Sequence, residues 1–322
     1  MMNASAPPAR VDRRGPGRYY RALRPYLSRL YYAASFKVAR PVVGEIPRLI
    51  YGNDAGLLNN VRAERRLRRL RGGRRAAEVL DPRVRQFRDE GYLMLLPAYD
   101  RALLAGICRD VERLIEDPQH SIPRADGDAS RTLVTAIDKI PALRHLLNKE
   151  IRDLLEASYG THFGVTSVSV WRNRAVPGYD GKGEVYSNFW HCDDYLTSRV
   201  KLFVNLSDVT RETGAFRIIP VSSTKAIMRS GYLTRYWALG RARTLLADTT
   251  RVVYAEGPVG SAILANTQRC LHAASVPRPG SLRDIVEFKF DPSPRPLAAD
   301  WVQHLAVDPY EARFARGLIT RK

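Results

Sequence analysis

Apolar residues recur in two rhythms along this chain, at helical spacing before about residue 160 and at strand spacing after it. Helical periodicity runs through Tyr99 to Asp117, stopping near Pro118, and through Ala142 to Ser158, stopping before Gly160. Strand-like runs follow at Val165–Trp171, Val200–Leu206 and Gly260–Ala265, and Leu282–Phe290 alternates like a half-buried strand. Glycine and proline punctuate these runs. Two helices ahead of many short strands predict one α+β unit, mainly β, with a double-stranded β-helix core of the jelly-roll, cupin type and flanking helices. Thr224 to Thr250 interrupts the strands with Tyr232, Tyr236 and Trp237, and reads either as a substrate lid or as a helix packed on the barrel. Gly178 to Gly183 reads as a mobile loop or an ordinary surface turn.

Charge separates the start of the chain from the rest. Residues 1–88 hold 21 basic and 6 acidic residues, +15 of the net +19. Arg18 to Arg40 places Tyr19, Tyr20, Leu23, Tyr26, Leu27, Leu30 and Tyr31 at helical spacing with basic residues between them, an amphipathic pattern suited to a membrane surface or to packing on the main domain. Val61 to Arg75 carries eight arginines. The expected division is a basic, partly helical extension over 1–80 and a catalytic domain over 81–322. Residues 18–75 are an expected contact for a membrane surface or an acidic partner. Specific nucleic-acid recognition is disfavoured, because no aromatic platform or recognition-helix motif accompanies the charge, and arginine outnumbers lysine 44 to 8 throughout. The three cysteines, Cys108, Cys192 and Cys270, are too scattered for a disulfide framework, and Cys192 and Cys270 read as small core residues. A reducing, cytoplasmic location is expected, with membrane association as the alternative. No stretch reaches 18 consecutive apolar residues, and residues 1–17 lack the apolar segment of a secretory signal.

The chemistry concentrates around His191, Cys192 and Asp193. If the triplet lies in a strand, alternation puts His191 and Asp193 on one face and Cys192 on the other. His272, 79 positions beyond Asp193, adds a second imidazole, and Arg283 follows it by eleven residues at the start of a strand. Two imidazoles and one carboxylate on one side of an ion leave the opposite positions open, the arrangement of non-haem Fe(II) oxygenases. A structural His–Asp pair is the plainer reading of the triplet taken alone. A guanidinium at Arg283 offers a two-pronged grip for a carboxylate. His120, His145, His162 and His304 have no spacing that suggests a second metal.

From about Val84 to Phe290 the chain resembles the phytanoyl-CoA dioxygenase family of Fe(II)- and 2-oxoglutarate-dependent oxygenases. Val84 to Pro97 looks like that family's opening helix and first strand, Trp190–Asp193 like its H-x-D motif, and Leu206 to Pro220 like its turn between core strands. His272 and Arg283 stand where the distal histidine and the 2-oxoglutarate-binding arginine would be. The chain has Val221-Ser222-Ser223 where the family has Gly-Ser-His, and Ala273 to Pro277 departs from the usual polar pattern. The second anchor for 2-oxoglutarate is therefore unmarked, with Lys201 and Ser275 as candidates. The resemblance implies catalytic metal ligation by His191, Asp193 and His272, with Fe(II), 2-oxoglutarate and O2 as cofactor and co-substrates and ascorbate as an optional reductant. It implies hydroxylation of a C–H bond in a small organic substrate (an acyl thioester, amino-acid derivative or secondary metabolite), with release of succinate and CO2. Asp193 occupies the position that is a small residue in related halogenating enzymes. The alternatives are a catalytically silent jelly-roll binding protein and an adaptor acting through its basic N-terminal region.

Overall fold

The computed structural model describes residues 56–72, 81–96, 99–123, 130–193, 196–234 and 237–304. The amphipathic segment expected at Arg18 to Arg40 lies outside them. Contacts divide the chain into two units, Met1–Ile46 and Pro47–Lys322. Within the larger one, α1 (Gly56–Leu70) buries Asn60 and Ala63, and Leu67 packs on the main core. The arginine-rich helix falls in the same unit as the sheet.

Next come α2 (Pro82–Glu90), β1 (Tyr92–Leu95) and α3 (Arg101–Glu116). Asp81 and Asp100 cap the two helices by accepting hydrogen bonds from Arg83 and Ala102 N–H groups. Leu104, Ile107, Val111 and Leu114 form the buried stripe of α3, each worth about 1.5–3 kcal/mol of burial. Strands β2 (Ser121–Pro123) and β3 (Arg131–Val134) follow. The helix expected over 142–158 is split into a 3₁₀ segment, Pro141–Leu146, and α4 (Lys149–Tyr159). Asn148 causes the break, because its side chain accepts from Ile151 N–H and starts a new helix there.

The remaining elements are β4 (His162–Arg174), β5 (Val200–Asn205), β6 (Phe216–Ile218), α5 (Val221–Arg229), β7 (Tyr232–Thr234), β8 (Trp237–Ala238), α6 (Gly240–Ala247), β9 (Val253–Ala255), β10 (Ala262–Ala265), β11 (His272–Ala273) and β12 (Leu282–Ser293). They build a seven-stranded antiparallel sheet, β1-β10-β5-β12-β4-β3-β2, facing a smaller one, β11-β6-β9. A backbone bridge from His191 to His272 adds a one-residue strand to the free side of β11. This is the expected double-stranded β-helix.

Alternation along β12 shows which face does what. Val286, Phe288 and Phe290 point outward into the main core, with Val168 and Val170 of β4, Leu202 and Val204 of β5, and helices α2, α3 and α4. Ile285 points inward, with Trp171, Phe203 and Ile263, against Phe216 and Ile218 of the small sheet. On the outward face Arg172 hydrogen-bonds both oxygens of Asp284, at 2.8 and 2.6 Å, and pairs with Glu112 of α3. This ion triad ties helix to sheet. Gly91 ends α2 with φ +80°, and a Cβ there would lie 2.4 Å from Cys270 Sγ and 2.7 Å from Val221 Cγ2.

Arg172→Met leaves Asp284 buried without its partner and should cost about 3–5 kcal/mol, read as a fall in the urea midpoint at constant m-value. An unchanged midpoint would mean that the triad is ornamental. Gly91→Ala combines an unfavourable φ with two close contacts and should destabilise the protein more than Gly178→Ala, where φ is +65° but the space is open.

Candidate metal centre

His191, Asp193 and His272 meet. Their ligating atoms all lie within 4.8 Å of one another. Asp193 Oδ1 is 3.7 Å from the Nε2 atom of each histidine, and the two rings are 4.3 Å apart between centroids. Among the described residues no other trio of histidine, cysteine or carboxylate groups converges in this way.

The meeting has a different local cause from the one alternation suggested. His191 belongs to a single backbone bridge, donating to His272 O at 3.1 Å and accepting from His272 N–H at 2.9 Å, and Asp193 lies outside any strand. Asp193 N–H is instead taken by Thr267 O at 3.0 Å, in the turn between β10 and β11. The H-x-D segment therefore crosses from the edge of the small sheet to the turn that precedes His272. Cys192 does point the other way, into an apolar cluster with Leu271, Ile219, Ile227, Met228 and Tyr232.

Backbone carbonyls orient both rings. His191 Nδ1 lies 2.8 Å from Phe189 O and His272 Nδ1 3.2 Å from Cys270 O. A carbonyl can only accept, so each Nδ1 carries the proton and each Nε2 presents its lone pair toward Asp193. Two residues that sequence reasoning passed over complete the support. Arg217 donates to Asn188 O and Ala274 O, both at 2.8 Å, tying the segment before His191 to the segment after His272. Thr224 donates to Ile219 O and accepts from Leu271 N–H, which pins α5 behind the site. The 224–250 insertion thus backs the centre from outside the barrel. The packed-helix reading holds over the lid. Arg217 is a lone arginine on a strand and Thr224 opens no motif, so neither carried a sequence signal.

Lys201, a candidate second anchor for 2-oxoglutarate, lies against two carboxylates. Its Nζ is 2.9 Å from Asp193 Oδ2 and 3.1 Å from Glu287 Oε1, and Lys289 Nζ is 3.4 Å from the same Glu287 oxygen. Burial pushes the Asp193 carboxyl up, but the Lys201 ammonium opposes it, and the group is held well below the carboxylate range. Glu287 is likewise opposed by burial and lowered by Lys201 and Lys289, while the two carboxylates keep Lys201 charged.

Arg283 starts the inward row of β12. It is 6% exposed, its Nη1 donates to Gly214 O, its Nε has no hydrogen-bond partner, and no carboxylate among the described residues pairs with it. Burial lowers its pKa to about 10, so it remains a cation at neutral pH. Gly214, with φ +99°, sits 3.0 Å at its Cβ position from Ser275 O, which places Ser275 beside the same turn. Opposite Arg283, Ile285 and Glu287 on β4, the inward-facing Asn173 Oδ1, Trp171 Nε1 and Ser169 Oγ have no hydrogen-bond partner among the described residues. Burial pushes the Cys270 thiol up to about 12, as a core cysteine requires.

No protein-family model matches this chain, and no curated protein matches it. Among solved structures it is similar to EctD from S. alaskensis with bound Fe, at 17% identity and TM-score 0.50, over 67% of this chain and 78% of that one. It is also similar to the non-haem α-ketoglutarate-dependent epimerase SnoN from nogalamycin biosynthesis, at 15% identity and TM-score 0.47, over 65% of this chain and 82% of that one. HygX from Streptomyces hygroscopicus with nickel and 2-oxoglutarate bound gives 16% identity and TM-score 0.45, over 66% and 86%. The EctD likeness agrees with the jelly-roll fold read from the strand order.

Arg217→Met should weaken Co(II) binding roughly tenfold without unfolding the protein, because it frees both histidine-bearing segments at once. Unchanged Co(II) affinity would show that the bridge and carbonyl contacts suffice.

Proposed function

We propose that this chain is an Fe(II)- and 2-oxoglutarate-dependent oxygenase that oxidises a C–H bond of a small organic substrate. The observation that carries the reading is the pairing of a centre of two neutral imidazoles and one carboxylate oxygen with a buried guanidinium that lacks a carboxylate among the described residues. A nitrogen-rich set with one anionic oxygen suits Fe(II), and its one-sided placement leaves positions for a chelating co-substrate. An uncompensated buried cation costs several kcal/mol, so Arg283 is best explained by an anionic ligand, here the distal carboxylate of 2-oxoglutarate, with Ser275 beside it. EctD, of like fold, was solved with bound Fe.

Each residue then has a task. His191 Nε2, His272 Nε2 and Asp193 Oδ1 hold the ion. Phe189 O and Cys270 O keep both Nδ1 protons in place, so the rings stay neutral ligands. Arg283 orients the co-substrate, and the unpartnered polar row of β4 faces the same interior. Phe203 and Phe216, with ring centroids 4.8 Å apart, and His272 beside Phe216 at 5.5 Å, keep the inner wall apolar near the centre and limit water there. When bound, Fe(II) with 2-oxoglutarate and O2 supplies an oxidant strong enough for an unactivated C–H bond, with succinate and CO2 as products. Hydroxylation is the default outcome, and the acidic ligand Asp193 supports a halide-free reaction. Cys108, Cys192 and Cys270, none of them in a disulfide, support a reducing, cytoplasmic setting. On α1, Arg62, Arg65, Arg66 and Arg69 line a hollow of about 340 Å³, which supports contact with an acidic partner or anionic membrane.

Anaerobic addition of Fe(II) and then 2-oxoglutarate to the metal-free protein should produce the weak visible charge-transfer band of the chelate. His272→Ala should abolish the band, and Arg283→Ala should raise the 2-oxoglutarate concentration needed by at least about tenfold, the worth of one charge-assisted contact. A folded wild-type protein that gives no band would end this reading.

A further inference from the structure

The Asp193 carboxylate faces two ways. Its Oδ1 points at the imidazoles and its Oδ2 at the Lys201 ammonium, 2.9 Å away. Lys201 does not act alone: it stands directly across from Lys289 in the β5–β12 register, with Glu287 within reach of both amines. Two lysines facing each other across a buried ladder would repel. Interleaved with Asp193 and Glu287 they form a run of alternating sign, Asp193, Lys201, Glu287, Lys289, in which every side chain is at most 15% exposed. The run has no net charge.

We propose that Lys201 is a positioning residue that confines Asp193 to one-oxygen ligation; the inference rests on the oxygenase reading and deepens it. With Oδ2 engaged by the ammonium, the carboxylate offers the ion Oδ1 alone, and the position that a second oxygen would occupy stays open for the co-substrate. The ammonium also repels a divalent ion across a short, poorly screened distance and attracts a dianionic co-substrate. Lys201 therefore trades affinity for the bare ion against affinity for 2-oxoglutarate. Both effects, geometric and electrostatic, have the same sign.

That shared sign gives a test that a structural role would not mimic. In full-length protein under anaerobic conditions, Co(II) affinity is measured from its d–d bands, and 2-oxoglutarate affinity by calorimetry on the Co(II)-loaded form. Lys201→Met should bind Co(II) about tenfold more tightly and 2-oxoglutarate about tenfold more weakly, and Lys201→Arg should return both toward wild type. Where Lys201→Met alone does not fold, Lys201→Met with Glu287→Gln keeps the buried charges even and carries the same expectation. Loss of both affinities together, or a change in neither, overturns the proposal. Wild-type protein that binds neither probe removes the oxygenase reading and this inference with it, whereas wild-type binding with unmoved variants removes this inference alone.

Discussion

A carboxylate inside a β-barrel must remain ionised and fixed while it is buried if it is to hold a metal, and this constraint organises the interior around Asp193. Desolvation alone would favour the neutral acid, which ligates poorly. A bound ion would offset that penalty on its own; without one Lys201 offsets it, but it brings a second charge indoors, which Glu287 balances, and Lys289 then balances Glu287. A chain of four side chains, three of them on two adjacent strands, is the consequence of one requirement at its end. The chain is possible because β5 and β12 are neighbours in register, with Lys201 and Lys289 opposed and Glu287 one step along the same inward row.

The sheet separates this polar interior from the core that holds the fold together. On β12 the outward residues Val286, Phe288 and Phe290 enter the helix-covered core, while Arg283, Ile285, Glu287 and Lys289 look inward. Each strand thus serves stability on one side and chemistry on the other, and a slip of one residue would exchange them. Arg172 and Asp284, closed into an ion triad with Glu112, fix the register of β4 against β12 from the outward side. The inward guanidinium of Arg283, opposite Asn173, has no comparable closure among the described residues. Two buried arginines one residue apart across the same strand pair therefore differ: Arg172 is closed into an ion triad, and Arg283 has no carboxylate among the described residues.

Much of this was legible in the chain, for reasons that differ by element. Strands β4, β5, β10 and β12 are rich in β-branched and aromatic residues and were readable as strands, since their outward halves are continuous with the core. The meeting of His191, Asp193 and His272 was also readable, although through an incomplete cause: the triplet is not a strand, and the turn carbonyl of Thr267 positions Asp193. Turn carbonyls such as those of Phe189, Cys270 and Thr267 leave no trace in residue types, so the orientation of the ligands was invisible. Lys201 was visible as a cation on a strand and a candidate anchor for 2-oxoglutarate but not as a partner of Asp193, because the turn that brings Asp193 against β5 is not written in either segment alone. The 224–250 insertion shows the same limit, for its aromatic residues suit a lid or a helix equally, and only the bonds of Thr224 and Tyr232 to the backbone beside the ligands decide.

With the insertion behind the small sheet and α2, α3 and α4 behind the large one, the segment from Arg174 to His191 is what remains beside the centre among the described residues. It holds two successive left-handed residues, Tyr186 at φ 54° and Ser187 at φ 64°, neither of them glycine. Such residues cost about 1–3 kcal/mol each and persist only where their surroundings impose them. Here the Tyr186 hydroxyl donates to Arg174 O, and Ser187 O accepts from Ala274 N–H, so the strained pair is stitched to the end of β4 and to the segment after β11. The same turn brings Tyr186 near Arg283, whose field it influences. The strain is therefore offset by bonds that also set the spacing between the histidine-bearing segments and the buried guanidinium, the two ends that a bound 2-oxoglutarate would have to span.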